Sequence, residues 1–259
     1  MVKIITGWGN SGGSTTAFIN LVKLLNKNDI ETKLYSPHLW VMDKCNSDSI
    51  NNFTSNKDDT IIAHFINIPA RPICKKFIFS SHEHEVFPIK NINYKMYYKI
   101  HYVSEHQRKW HNIDHPFSVI PNVLDDLKTN NKPSIKIGGV IGSIDRNKQT
   151  HISIQKALED GCDKVNLYGV VSDQQYFKES VSPLLSDKVI HKGYCNNKQF
   201  MWDSITDVYH YSKMETFGFI LPEANMTNTI FHGNGSIQDD IEIWNNEDIL
   251  NAWKGILEI

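Results

Sequence analysis

The sequence predicts an α/β protein built from two doubly wound halves, each a parallel sheet with helices on both faces. Three observations carry that prediction. Short β-branched runs alternate with helix-periodic stretches along the chain. The runs are almost continuously apolar, as strands covered on both faces must be. The alternation breaks at one polar stretch, residues 125–134, and then restarts. With 259 residues, 40% of them hydrophobic, each half has enough material for its own core.

In the first half, "KIIT" (3–6) reads as a strand, and residues 14–27 carry Phe18, Leu21, Val22 and Leu25 at helical spacing. "TKLYS" (32–36), "TIIAHFI" (60–66), "KKFIFSS" (75–81), "IHYVS" (100–104) and "FSVI" (117–120) read as further strands. The polar stretch 43–59 reads as a surface loop. "DDLKTNNKPS" (125–134), ending near Pro133, reads as an interdomain linker and places the domain boundary between residues 128 and 129. In the second half, "IKIGGVIG" (135–142), "KVNLYG" (164–169), "KVIHKG" (188–193), "DVYHYS" (207–212) and "NTIFH" (228–232) read as strands. Helices are expected over 147–159 and 246–258, the latter with Ile249, Leu250, Trp253, Ile256 and Leu257 on one face and suited to packing back on the N-terminal half. Two such halves would face a central cleft with the carboxyl ends of their strands.

Bulk properties exclude several classes. A net charge of −2 gives no electrostatic reason to expect a nucleic-acid partner. No apolar run reaches the length of a membrane span, which leaves room only for a peripheral membrane contact, and "MVKIITGW" lacks the apolar core of a signal peptide. Cys45, Cys74, Cys162 and Cys195 show no metal-ligand spacing, in keeping with a reducing, cytoplasmic setting.

The opening "GWGNSGGSTTAF" contains Gly7, Gly9 and Gly12 as G-x-G-x-x-G, the glycine half of a dinucleotide fingerprint. The other half is an acid closing the second strand, which would hold ribose hydroxyls. Here that strand ends in Tyr35, Ser36 and Pro37, so an NAD-dependent oxidoreductase is not expected. Gly12 and Gly13 with Ser14 still set bare amides at a helix N-terminus, where a phosphate or sugar is welcome. "HEHE" (82–85) offers alternate ligands on one face, but no partners elsewhere complete a zinc site.

The most informative stretch is "HYSKMETFGFILPEANMTNTIFHG" (210–233), where Glu215 and Glu223 are separated by seven residues. The change from loop to helix near Phe217 and Gly218 sets Glu215 ahead of a helix and Glu223 about two turns inside it. "METFGFILPEA" resembles the E-x7-E signature of the family 4 glycosyltransferases, retaining enzymes of the GT-B fold. "GVIGSIDRNKQTHISIQKAL" (139–158) resembles that family's strand, G-R-L-x-x-x-K loop and helix. "HYVSEHQRKWHN…FSVIPNVLD" resembles the close of its N-terminal domain, "GGSTTAFINLVKLL" its first glycine loop and helix, and "FIFSSHEHE" its strand ending in a functional His.

The resemblance implies a GT-B-like pair of Rossmann-like domains, an acceptor-side domain before a nucleotide-sugar-binding one. The implied activity is transfer of a sugar from a nucleoside diphosphate, such as a UDP- or GDP-sugar, to a hydroxyl acceptor on a glycan, lipid or small molecule. Glu223 would accept from the ribose hydroxyls, Glu215 would contact the donor sugar, and Gly12 and Gly13 would let backbone approach the donor. His82 would donate to a sugar hydroxyl or steady charge near the reacting carbon, and the loop around Tyr194 would meet the base. No D-x-D stands in the chain, so no metal or other cofactor is expected and Lys148 with the helix beginning near Gly218 would stabilise the diphosphate. The family's Arg falls at Ser143, and Arg146 in the same loop is the candidate replacement. If it does not serve, the chain would be a catalytically weak nucleotide-sugar-binding subunit of a larger assembly.

Overall fold

The computed structural model describes residues 1–7, 12–38, 41–66, 71–83, 92–234 and 244–259. The chain forms two compact units: the first holds Met1–Leu124 and the C-terminal helix, and the second begins at Asp125. Each is built on an all-parallel sheet, as the continuous apolar runs require.

The first unit has seven strands: β1 (Val2–Thr6), β2 (Thr32–Ser36), β3 (Ser47–Ser49), β4 (Thr60–His64), β5 (Lys76–Ser81), β6 (Lys99–Tyr102) and β7 (Phe117–Val119). Their order, β3-β2-β1-β4-β5-β6-β7, reverses direction between β1 and β4. Ligands of such sheets bind beyond the carboxyl ends of the strands at that reversal. Helix α1 (Gly13–Lys27) buries Phe18, Leu21, Val22 and Leu25, the positions its spacing predicts. Helix α2 (Glu105–His111) follows β6, with the Ser104 hydroxyl capping the Gln107 amide.

The second unit carries β8 (Ile137–Ile141), β9 (Lys164–Tyr168), β10 (Val189–Gly193), β11 (Asp207–His210) and β12 (Ile230–Gly233) in the order β10-β9-β8-β11-β12. Its reversal lies between β8 and β11. Helices α3 (Thr150–Glu159), α4 (Gln174–Tyr176), α5 (Lys198–Asp203) and α6 (Ile220–Met226) connect the strands. Helix α7 (Asn246–Leu257) buries Ile249, Leu250, Trp253, Ile256 and Leu257 in the core of the first unit, against Phe18 and Leu25 of α1. Burial of each such side chain contributes about 1.5–3 kcal/mol.

Two expectations need correction. The polar stretch 43–59 is not all loop: Ser47–Ser49 pairs in parallel with Leu34–Ser36 as a short edge strand, which polar residues suit because one edge faces solvent. Glu223 is the fourth residue of α6, one turn inside rather than two. The helix starts late because Gly218 adopts φ +70, a left-handed conformation that continues the loop past Phe217. The segment 125–134 has neither helix nor strand, and it is fastened along the second unit. Lys132 Nζ donates to the Trp202 carbonyl and the Thr229 hydroxyl, and Asn130 donates to Asp203.

Candidate functional site

In the second unit, the strands flanking the reversal deliver the charged residues. Lys148 lies in the loop after β8, and its amide is held by the Asp145 carboxylate at 2.9 Å. Glu215 lies after β11. Lys148 Nζ forms an ion pair with Glu215 Oε1, and His210 Nε2 at the end of β11 meets the same oxygen at 2.8 Å. Burial works to raise the Glu215 carboxyl, but Lys148 and His210 overcome it and hold the group well below the usual carboxylate range. A largely buried carboxylate, its side chain 11% exposed, with a lysine and a histidine on it at the carboxyl end of a parallel sheet keeps a fixed charge pair where an anionic ligand would arrive.

Glu223, in the first turn of α6, forms a second group. Its carboxyl is 1% exposed; Oε1 lies 2.6 Å from Lys198 Nζ, and Oε2 accepts from Trp202 Nε1 at 3.2 Å. Lys198 also reaches Asp125 Oδ2 at 2.5 Å, so one ammonium bridges two acids. Burial raises the Glu223 carboxyl despite Lys198, whereas the two acids raise the Lys198 ammonium although burial lowers it. We read the group as a lysine firmly protonated between Asp125 and a carboxyl that gives up its proton late.

Phe217 is buried edge-on to Phe219, with ring centroids 5.3 Å apart. Tyr194, after β10, is 44% exposed. Arg146 stands apart from Lys148 and Glu215: its guanidinium meets Asp173 at 3.1 Å and Glu179 at 3.5 Å. Asp173 also caps α4.

In the first unit, Gly12 caps α1 without a side-chain bond, no acid stands in the first turn, and a Cβ on Gly13 would meet nothing within 4 Å. Gly7 has a packing reason, since its Cβ would fall 2.2 Å from the Phe65 carbonyl oxygen. Gly9, His84 and Glu85 lie outside the described residues. His82 follows β5 and is half-buried within a cluster of histidines. It lies 5.3 Å from His64 and 6.1 Å from His101, ring centroid to ring centroid, with Phe18 at 4.6 Å. Register places Thr6 beside His64 and Ser80 beside His101. His64 Nδ1 meets the Thr6 hydroxyl at 3.0 Å and its Nε2 meets Glu83 Oε1 at 2.8 Å. Burial, with His64 and His101 as neighbours, holds the His82 pKa well below the ordinary value.

His210, Lys198, His64 and Ser80 were not singled out by the sequence reading. His210 carried the clearest available signal, a histidine ending an apolar strand just ahead of the glutamate pair. Among the described residues, one further group, Asp160, Asp207 and His232, approaches metal-ligand spacing. Asp160 follows α3, Asp207 opens β11 and His232 lies in β12, and the group's own partners are present: Lys136 pairs with Asp160 at 2.7 Å and His232 with Asp207 at 2.8 Å.

No protein-family model matches the chain. No curated protein matches it either. Solved structures do. Anabaena HepE, in its complex with UDP-glucose, is 15% identical with a TM-score of 0.69, covering 100% of this chain and 89% of that one. AviGT4, a glycosyltransferase involved in avilamycin A biosynthesis, is 17% identical with a TM-score of 0.68, covering 98% of this chain and 88% of that one. WaaG, a glycosyltransferase involved in lipopolysaccharide biosynthesis, is 11% identical with a TM-score of 0.65, covering 100% of this chain and 91% of that one. The two parallel sheets of this chain thus have the GT-B fold of these glycosyltransferases.

Proposed function

We propose that the protein is a retaining, metal-independent glycosyltransferase that moves a sugar from a nucleoside diphosphate to a hydroxyl acceptor. The observation that carries this reading is the Lys148–Glu215–His210 group at the reversal point between β8 and β11. Departure of a nucleoside diphosphate concentrates negative charge on the leaving phosphate, and preorganised cations lower that barrier most effectively. Lys148 supplies the cation and would exchange Glu215 for the diphosphate when donor binds, leaving His210 to hold Glu215. Glu215, relieved of Lys148 and still held by His210, then accepts from a donor-sugar hydroxyl. Glu223 faces the ribose hydroxyls, with Lys198 and Trp202 fixing its carboxyl. Within the first unit, His82 and the α1 N-terminus with Gly12 and Gly13 are the ligand-contacting groups of this reading, and within the second Tyr194 lines the base. The UDP-glucose bound to HepE supports a sugar nucleotide as the ligand class.

A second reading is favoured by one observation, the pairing of Arg146 with Asp173 and Glu179 away from Lys148. With Ser143 where the family's Arg falls, the chain would bind a sugar nucleotide and turn it over weakly, as a subunit of a larger assembly. Donor hydrolysis decides. UDP-, GDP- and ADP-sugars are incubated with wild type and Glu215→Ala, and thermal shifts are recorded with the same donors and with NAD. The transferase reading expects one donor to stabilise the protein and to be hydrolysed by wild type and not by the variant. Stabilisation with equal, negligible turnover in both supports the binding subunit, and stabilisation by NAD alone overturns both.

A further inference from the structure

We propose that Asn147 is a positioning residue: it clasps the loop that carries Lys148 to the loop that carries Glu215, and so sets where the Lys148 ammonium stands. The clasp itself is geometry, whereas its bearing on sugar transfer rests on the transferase reading. The sheet does not supply this link. The register of β8 and β11 pairs Gly138 with Asp207 and Gly139 with Val208, so the last residues of both strands run on beyond the ladder between them. Asn147 joins the two loops from the residue before the lysine to the residue before the glutamate. Its side-chain Nδ2 donates to the Met214 carbonyl at 3.1 Å, and its own carbonyl accepts from the Lys213 amide at 2.8 Å. The Met214 oxygen can only accept, so the amide nitrogen of Asn147 must be the atom that faces it. Ser212, fully buried, reinforces the join: its hydroxyl lies 3.0 Å from the Met214 carbonyl and 3.3 Å from the Asn147 carbonyl.

The lysine is fixed from the other side as well. The Asp145 carboxylate accepts from the amides of Asn147 at 3.0 Å and Lys148 at 2.9 Å, which folds the loop into a turn. Gln149, directly after the lysine, is held at φ +47, a left-handed conformation that a residue other than glycine keeps only where its surroundings impose it. The Lys148 stem passes over Gly142, whose Cβ would stand 4.0 Å from the Lys148 Cδ and Cε. Backbone and stem thus aim the ammonium at Glu215 before a ligand arrives, the preorganisation that charge stabilisation requires. Without the clasp the ion pair could still form, but the cation would no longer be held where the diphosphate is to replace Glu215. Donor would bind, and the transition state would gain less from the lysine.

Two measurements on the full chain test this. The first needs no donor: the side-chain ammonium spectrum of protein labelled with ¹⁵N-lysine, at mildly acidic pH, with Lys148→Arg assigning the Lys148 signal. Wild type should show Lys148 apart from the exposed lysines. Asn147→Asp keeps the shape of the side chain but turns an acceptor toward the Met214 carbonyl, and it should broaden the Lys148 signal or merge it with the exposed ones. Asn147→Ala should do the same while the Tm falls by no more than a few degrees. The second is donor hydrolysis, in which both variants should lose about tenfold in kcat with the donor KM within about threefold of wild type. A wild-type Lys148 signal that matches the exposed lysines, or a variant signal unmoved from wild type whatever the Tm, would overturn the proposal. So would a raised KM with kcat unchanged. If Asn147→Ala does not fold, Asn147→Asp decides. Should wild type hydrolyse no donor, the transferase reading fails and the ammonium spectrum still decides the clasp.

Discussion

The two units share one architecture and differ in what stands at the carboxyl ends of their strands. In the first, the site residues are hydroxyls and histidines: Thr6, Ser80, His64, His82 and His101, linked in hydrogen-bond chains whose acid, Glu83, is spent on His64. In the second, they are lysine–carboxylate groups, Lys148 with Glu215 and Lys198 with Asp125 and Glu223. Neutral donors and acceptors suit the recognition of hydroxyls, whereas fixed ammonium groups suit a polyanion. One fold has thus been fitted with two chemistries, and in the proposed function the anionic half of a sugar nucleotide belongs to the second.

The largest effect should come from the lysine of the second unit. Lys148→Ala is expected to reduce donor turnover by about 100-fold or more, the usual cost of removing a preorganised charge-stabilising group, with Lys148→Arg partly active. Steady-state hydrolysis rates check it, and a change within threefold would break the comparison. Next, Lys198→Met leaves Asp125 and buried Glu223 without their shared cation. Uncompensated buried acids cost several kcal/mol, and since Lys198 is about a third exposed the expected loss is about 2 kcal/mol. Urea unfolding followed by tryptophan fluorescence measures it.

The histidines of the first unit should show themselves through pH. His101 has a folded pKa of about 4, below the unfolded value of about 6.5. Its contribution to stability is therefore complete above about pH 6.5 and is lost as pH falls toward about 4, because the unfolded chain takes up the proton first. The Tm of wild type should fall by several degrees over that window, and His101→Phe should flatten the decline. The smallest effect is expected at Arg146. Its pairs with Asp173 and Glu179 are exposed, so Arg146→Ala should change turnover less than about threefold and stability by under about 1 kcal/mol. A tenfold loss of turnover would mean that Arg146 leaves those partners for the diphosphate.

Much of the fold was legible because buried parallel strands are written as uninterrupted apolar runs, and "TIIAH" and "KFIFSS" state this directly. The edge strand Ser47–Ser49 was not, since backbone pairing with β2 forms it without apolar side chains. Helix α2 was also missed: seven residues with two buried side chains leave little periodicity to read. At the site, Glu215, Glu223 and Lys148 could be picked out because they stand in local motifs. Lys198 and Trp202 could not be assigned partners in advance, because Trp202 meets Glu223 across 21 residues and Lys198 meets Asp125 across 73. The histidine chain of the first unit depends on register between β5 and β6, which no local pattern encodes.

Calorimetric titration of a panel of nucleoside-diphosphate sugars against wild type and Lys148→Ala tests the central assignment most directly. The account predicts that at least one donor binds the wild-type protein and that the variant binds it at least about tenfold more weakly, a difference of about 1.4 kcal/mol. Equal affinity in the two proteins, or no binding of any donor to wild type, would contradict it.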